Sequence, residues 1–130
     1  EILAHGIDLV DFGRIQEMLD RHDSHFLDRV FTSYEQAYAG QKFPAEKLAG
    51  RFAAKEAVLK LLGTGWRGKI AWTDIEITND PLGQPEVALS GEVARIAKDK
   101  GIGQITLSIT HTGNFAIASA VAIRNNNGSK

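Results

Sequence analysis

The chain of 130 residues contains no cysteine, which excludes disulfides, zinc–thiolate sites and thiol nucleophiles. It also lacks an excess of either charge. With 15 Lys and Arg against 16 Asp and Glu, no overall field draws it to nucleic acid or an anionic membrane, so any anion binding must be local. No apolar run is long enough to span a bilayer and nothing resembles a secretory leader, which makes the cytoplasm the expected compartment. Repeats, low-complexity stretches and a dividing linker are also missing. What the sequence has is apolar material, 43% of it, enough at this length for one core. The expected organisation is a single domain over 1–124, with Asn125-Asn-Asn-Gly-Ser-Lys130 as a frayed tail.

Ile2 to Val10 is largely apolar and β-branched, as in a buried strand, and Asp11 can cap a helix whose apolar positions are Ile15, Met18 and Leu19. Arg14, Glu17 and Arg21 then face outward. Phe26 to Phe31 is a short apolar piece, and Thr32-Ser-Tyr-Glu35 is a capping-box pattern opening a short helix that Gly40 closes. Pro44 at the first turn starts a long helix running to Gly63. Beyond it the period changes from 3.6 to 2. Trp72 to Thr78 reads as a strand, Asn79 to Gly83 as a turn, Pro85 to Leu89 as the hairpin partner and Ser90 to Lys100 as a capped helix. Gln104 to Thr110 and Asn114 to Ile123 read as two central strands joined by a tight turn at His111-Thr-Gly-Asn114. The pattern predicts an α+β fold, a mostly antiparallel sheet packed against one long helix.

The densest chemistry lies in Arg51-Phe-Ala-Ala-Lys55-Glu56-Ala-Val-Leu-Lys60-Leu-Leu-Gly63-Thr-Gly65. At about 100° per residue, Leu48, Phe52, Leu59 and Leu62 form an apolar stripe with Arg51 and Lys55 within or beside it. Glu56 and Lys60 occupy the next strip round. A carboxylate among cations beside a glycine turn suits a metal and a phosphate, and it equally suits an i,i+4 ion pair followed by a helix C-cap. The turn is not a Walker loop, because its glycines follow a helix where a P-loop precedes one. Asp8, inside Gly6-Ile-Asp8-Leu-Val10, is a carboxylate in an apolar strand that needs a cation or several donors. Two carboxylates with phosphate and water make a usual magnesium complement. His111 stands at a strand end, as a local hydrogen-bonding residue or a ligand contact. Ser108 lacks a nucleophile elbow and is expected to point into the sheet. Arg14, Met18 and Arg21 share one helix face, fit either for solvent or for gripping an acidic partner helix.

In order, Gly6-Ile-Asp8-Leu-Val10, Phe31-Thr-x-x-Glu35, Arg51-Phe-Ala-Ala-Lys55-Glu56-Ala and Ser108-Ile-Thr-His111-Thr112 carry a resemblance to the holo-[acyl-carrier-protein] synthases, the short type of 4'-phosphopantetheinyl transferase. It runs from about Ile2 to about Ile123, and Asp74-Ile-Glu76-Ile with Gly83-Gln-Pro85 is similar to the family's central hairpin. The resemblance implies the 4'-phosphopantetheinyl transferase fold and transfer of the phosphopantetheine arm of coenzyme A to a serine of apo acyl carrier protein. Adenosine 3',5'-bisphosphate would be released, in fatty acid biosynthesis. It implies Mg2+ as cofactor, with Asp8 and Glu56 at the metal-ligand positions. It also implies coenzyme A contacts at Arg51, Lys60, Gly63, Gly65, His111 and Thr112, and carrier-protein docking at Arg14, Met18 and Arg21. A homotrimer with clefts at subunit interfaces is implied as well. Two departures stand out. Phe43 occupies a position where the family commonly has a basic residue, leaving Lys42 or Lys47 to reach the nucleotide phosphate, and Gly113-Asn114 stands where a lysine is often found.

On this reading the serine hydroxyl attacks the β-phosphorus, with Asp8, Glu56 and Lys60 as the catalytic residues. The proton acceptor is a metal-bound water or Glu56, with His111 a lesser candidate. Arg51 and Glu56 are about 140° apart round the helix, so one subunit cannot easily present both to the same part of a small ligand, and a site shared between subunits removes the difficulty. A non-catalytic nucleotide or coenzyme A binding module and a pure protein-interaction domain are the rivals, and neither needs Asp8, Glu56 and Lys60 together.

Overall fold

The computed structural model describes residues 1–22, 24–40 and 44–126, with the side chain of His22 excepted. Strand β1 (Ile2–Asp11) leads into helices α1 (Phe12–His22), α2 (Ser24–Val30), α3 (Ser33–Ala39) and the long α4 (Ala45–Leu62). Strands β2 (Ile75–Asn79) and β3 (Pro85–Leu89), helix α5 (Gly91–Asp99) and strands β4 (Ile102–Thr112) and β5 (Phe115–Arg124) follow. All pairings are antiparallel, in a three-stranded sheet ordered β1-β5-β4 and a separate β2-β3 hairpin. The α+β expectation therefore holds, with the strands divided between two sheets.

Several expected devices are present. The Asp11 carboxylate takes the Gly13 amide at 2.7 Å, opening α1. Thr32 and Glu35 form the reciprocal capping box at the start of α3, and Gly40 closes that helix through its amide on Gln36. Helix α4 ends at Gly63, whose φ of 74° lets its amide reach back to Leu59 and Lys60. Pro44 sits one position earlier than expected, at the cap itself.

Helix α4 is more deeply enclosed than a stripe predicts. Ala49, Ala53, Ala54 and Ala57 are buried along with Leu48, Phe52, Val58 and Leu59, because sheet and helices cover it on most sides. Small residues allow the close fit. A Cβ on Gly6 of β1 would overlap the Ala57 carbonyl and lie 2.7 Å from the Leu61 nitrogen, so this glycine lets the strand carrying Asp8 lie directly on the helix carrying Glu56 and Lys60.

Three expectations change. Trp72–Asp74 is a 3₁₀ turn, not the start of a strand, since the Asp74 carboxylate bends back to the amide of Ala71 and forward to that of Val93. That second contact caps α5, and Ser90 makes no side-chain cap. Strand β4 is an edge strand, not a central one, with β5 alone in the middle. Accordingly Ser108 is exposed on the face away from α4, paired in register with Ser119, and does not point inward. The Asn125 amide bonds to the Gly101 carbonyl, while residues 127–130 of the expected tail lie outside the described residues.

Candidate active site

Asp8 projects from β1 toward the end of α4, where its Oδ1 stands 2.9 Å from Lys60 Nζ. The Asp8 side chain is only 11% exposed, and its cation is 56% exposed. One helical turn before Lys60, Glu56 is half-buried and its Oε1 accepts the indole N–H of Trp66 at 2.9 Å. Glu56, Lys60, Gly63, Gly65 and Trp66 line a small pocket of about 160 Å³. The structure thus brings both predicted carboxylates, the predicted lysine and the glycine turn to one end of one helix.

Arg51, His111 and Thr112 lie elsewhere. They line a cleft of about 530 Å³ that also includes Tyr38, Lys47, Asn79 and Pro85. Arg51 is 4% exposed. Its guanidinium lies 3.7 Å over the Tyr38 ring and donates through Nη2 to Asn79 Oδ1, while its buried Nε has no hydrogen-bond partner among the described residues. Burial draws this guanidinium below its usual pKa, opposed by the neighbouring acidic groups. Arg51 lines this cleft, and a guanidinium there is a fitting contact for an anion. His111 packs against Phe12, ring centroids 5.9 Å apart, over Gly50. A Cβ there would come within 3.2 Å of His111 Nε2. The two clusters face different pockets of one chain, as the helical angle between Arg51 and Glu56 predicts. Lys47 lies in the Arg51 cleft, with its Nζ 5.7 Å from the Tyr38 ring centroid, and Lys42 falls outside the described residues.

A third hollow of about 470 Å³ is lined by Arg14, Met18, His25, Phe26, Arg29, Val30, Phe52 and Trp72. Arg14 lies 5.3 Å over the Phe52 ring. Arg21 does not line it, being exposed with Glu17 at 3.6 Å.

Sequence reasoning missed five contributors. Lys55, expected within or beside the stripe, is fully buried against Glu35 at 2.8 Å and donates to the carbonyls of Trp72 and Ile75. Glu35, read only as a cap, also accepts the Ile77 amide at 2.8 Å. Tyr38 and Asn79 hold Arg51, and no local pattern announces either. Trp66 had a signal, an indole directly after the glycine turn, since a tryptophan N–H seeks a partner when half-buried.

The donor set suits a magnesium ion. That ion takes hard oxygen ligands and rarely a full protein cage, drawing the remainder from water and substrate phosphate. Asp8 and Glu56 offer two carboxylates, and no group of three or more potential ligands occurs among the described residues.

Residues 4–120 match the 4'-phosphopantetheinyl transferase superfamily. Over 121 residues the chain is 45% identical to a holo-[acyl-carrier-protein] synthase from Geotalea daltonii, covering 92% of this chain and 97% of that one. Its structure is similar to the crystal structure of a holo-[acyl-carrier-protein] synthase from Neisseria meningitidis, with TM-score 0.85, 33% identity and coverage of 95% and 100%. It is also similar to one from Helicobacter pylori in complex with coenzyme A, with TM-score 0.82, 32% identity and coverage of 92% and 99%.

Proposed function

The chain belongs to the 4'-phosphopantetheinyl transferase superfamily, and from that membership we infer that it transfers the 4'-phosphopantetheine group of coenzyme A to a serine of apo acyl carrier protein. The other product is adenosine 3',5'-bisphosphate. The observation that carries the mechanism is the meeting of Asp8 from β1 with Lys60, one turn from Glu56, where α4 ends. A binding module has no need of two carboxylates beside a lysine.

Asp8 and Glu56 would hold magnesium, which when bound draws charge off the pyrophosphate oxygens. Phosphoryl transfer is mostly positioning and charge neutralisation, and this chain's residues divide that work. Lys60 turns from Asp8 to the substrate phosphates as they arrive, adding positive charge beside the leaving group. Beyond the Gly63 amide, which caps α4, the amides of Thr64 and Gly65 would face the same phosphates. Arg51, His111 and Thr112, which line one cleft, would bind the nucleotide end. For the serine proton the candidate acceptors are Glu56, a water held at the Asp8–Glu56 site and, as the lesser candidate, His111.

The two halves join across a subunit boundary in a homotrimer. Support comes from the sheet face turned away from α4, where Ile7, Leu9 and Phe115 are exposed beside half-buried Ile117, Val121 and Ile123. An apolar patch of this kind marks an association surface. The compartment proposed is the cytoplasm; no helix among the described residues is long and apolar enough to cross a membrane. Incubating apo carrier protein with coenzyme A and magnesium and weighing it tests the function. Transfer adds about 340 Da, the group's mass by formula, whereas binding alone adds nothing covalent.

A further inference from the structure

We propose that Trp66 is a positioning residue for Glu56, its indole N–H fixing that carboxylate in the orientation in which it ligates magnesium. The proposal rests on the metal reading above. Two ring contacts and one hydrogen bond carry it. Phe52 stacks on Trp72, with centroids 4.9 Å apart and planes at 24°. Trp72 lies against Trp66 at 3.6 Å, and Trp66 Nε1 donates to Glu56 Oε1 at 2.9 Å.

Phe52 and Glu56 are i and i+4 on α4, on one face. The chain of contacts therefore leaves the helix at Phe52, passes through both indoles and returns to it one turn later. Glu56 is thus tied into a closed loop of contacts. An indole nitrogen only donates, so the contact requires an acceptor carboxylate oxygen. Engaging Oε1 leaves Oε2 to the metal, and among the described residues Oε2 has no hydrogen-bond or ionic partner. Hydrogen-bond partners of ligating groups are commonly worth about 10- to 100-fold in metal affinity.

Trp66→Phe keeps the stack and deletes the donor. Expected is a half-saturating magnesium concentration raised about 10-fold or more, with kcat at saturating magnesium near that of the wild type. In the folded wild-type protein, the indole N–H resonance missing from the variant should shift when magnesium is added in the presence of adenosine 3',5'-bisphosphate. That measurement decides the matter even if the variant folds poorly. Unchanged magnesium half-saturation in a folded Trp66→Phe, or an indole resonance indifferent to magnesium, would overturn the proposal while leaving the metal reading standing. Full wild-type turnover in EDTA would remove the metal reading and this proposal with it.

Discussion

Lys60 Nζ stands 2.9 Å from Asp8 Oδ1, tying the strand that opens the chain to the end of its longest helix. A pair whose lysine is more than half exposed adds only about 0 to 1 kcal/mol to stability. Its placement one turn from Glu56 therefore matters to chemistry more than to folding. Asp8→Ala and Glu56→Ala should each lower kcat by about 100-fold or more, with melting temperatures little changed. Near wild-type transfer by both variants in saturating magnesium would put the metal elsewhere.

The same geometry separates Lys60 from cations that merely decorate the surface. A charge-assisted contact to phosphate is worth about 1.5 to 3 kcal/mol, or roughly 10- to 100-fold in kcat/KM. Lys60→Ala should lose that much, while Lys98→Ala, exposed on α5, should lose nothing measurable. Matching kinetics for the two would contradict the assignment.

If the outer face of the β1-β5-β4 sheet is the trimer contact, a carboxylate there separates subunits without touching the α4 side. Ile7 lies on this face opposite Ser119, 53% exposed. Ile7→Asp should sediment as a monomer and lose transfer, because Arg51 and Glu56 would no longer meet across a boundary. A wild-type protein that sediments as a fully active monomer argues against the shared site.

The buried Lys55–Glu35 pair makes stability depend on pH in a defined direction. Burial draws Lys55 below its usual 10.5, with Glu35 opposing. In the window just below pH 10.5 the unfolded chain therefore binds more protons than the native one, so this residue's contribution to stability rises with pH through that window and is least below the folded value. The unfolding free energy of wild type minus that of Lys55→Met, measured by urea titration, should increase toward pH 10.5. A difference that falls as pH rises contradicts this account. Glu35→Gln, which leaves Lys55 without its counter-charge, should cost about 3 to 5 kcal/mol.

What the sequence made legible follows the range of the interactions involved. The Thr32–Glu35 box, the Gly63 cap and the angular separation of Arg51 from Glu56 are local, and each appears as expected. The second role of Glu35 is not local, since its partner Lys55 is twenty positions away and comes from another helix. Trp72–Asp74 carries strand-like residues, yet Asp74 finds amides on two sides and turns the chain. The burial of Ala53 and Ala57 is equally invisible from periodicity, because small residues record a close neighbour only when the neighbour is known. Trp66 and Glu56 are ten positions apart, joined only once the glycine turn folds back.

The docking helix gives the last test. Arg14 and Met18 line one hollow with His25, Phe26 and Arg29, so the basic rim extends beyond the residues expected, and Arg21 stands outside it beside Glu17. Exposed rim charges act mainly on association rate and its salt dependence. Reversing Arg14 and Arg21 together should raise KM for carrier protein by about ten-fold at low salt and flatten its rise with added salt, while KM for coenzyme A changes little. Arg14 alone should account for most of the effect, since it faces the hollow. Carrier-protein kinetics and salt response unchanged in the double reversal would place docking on another surface.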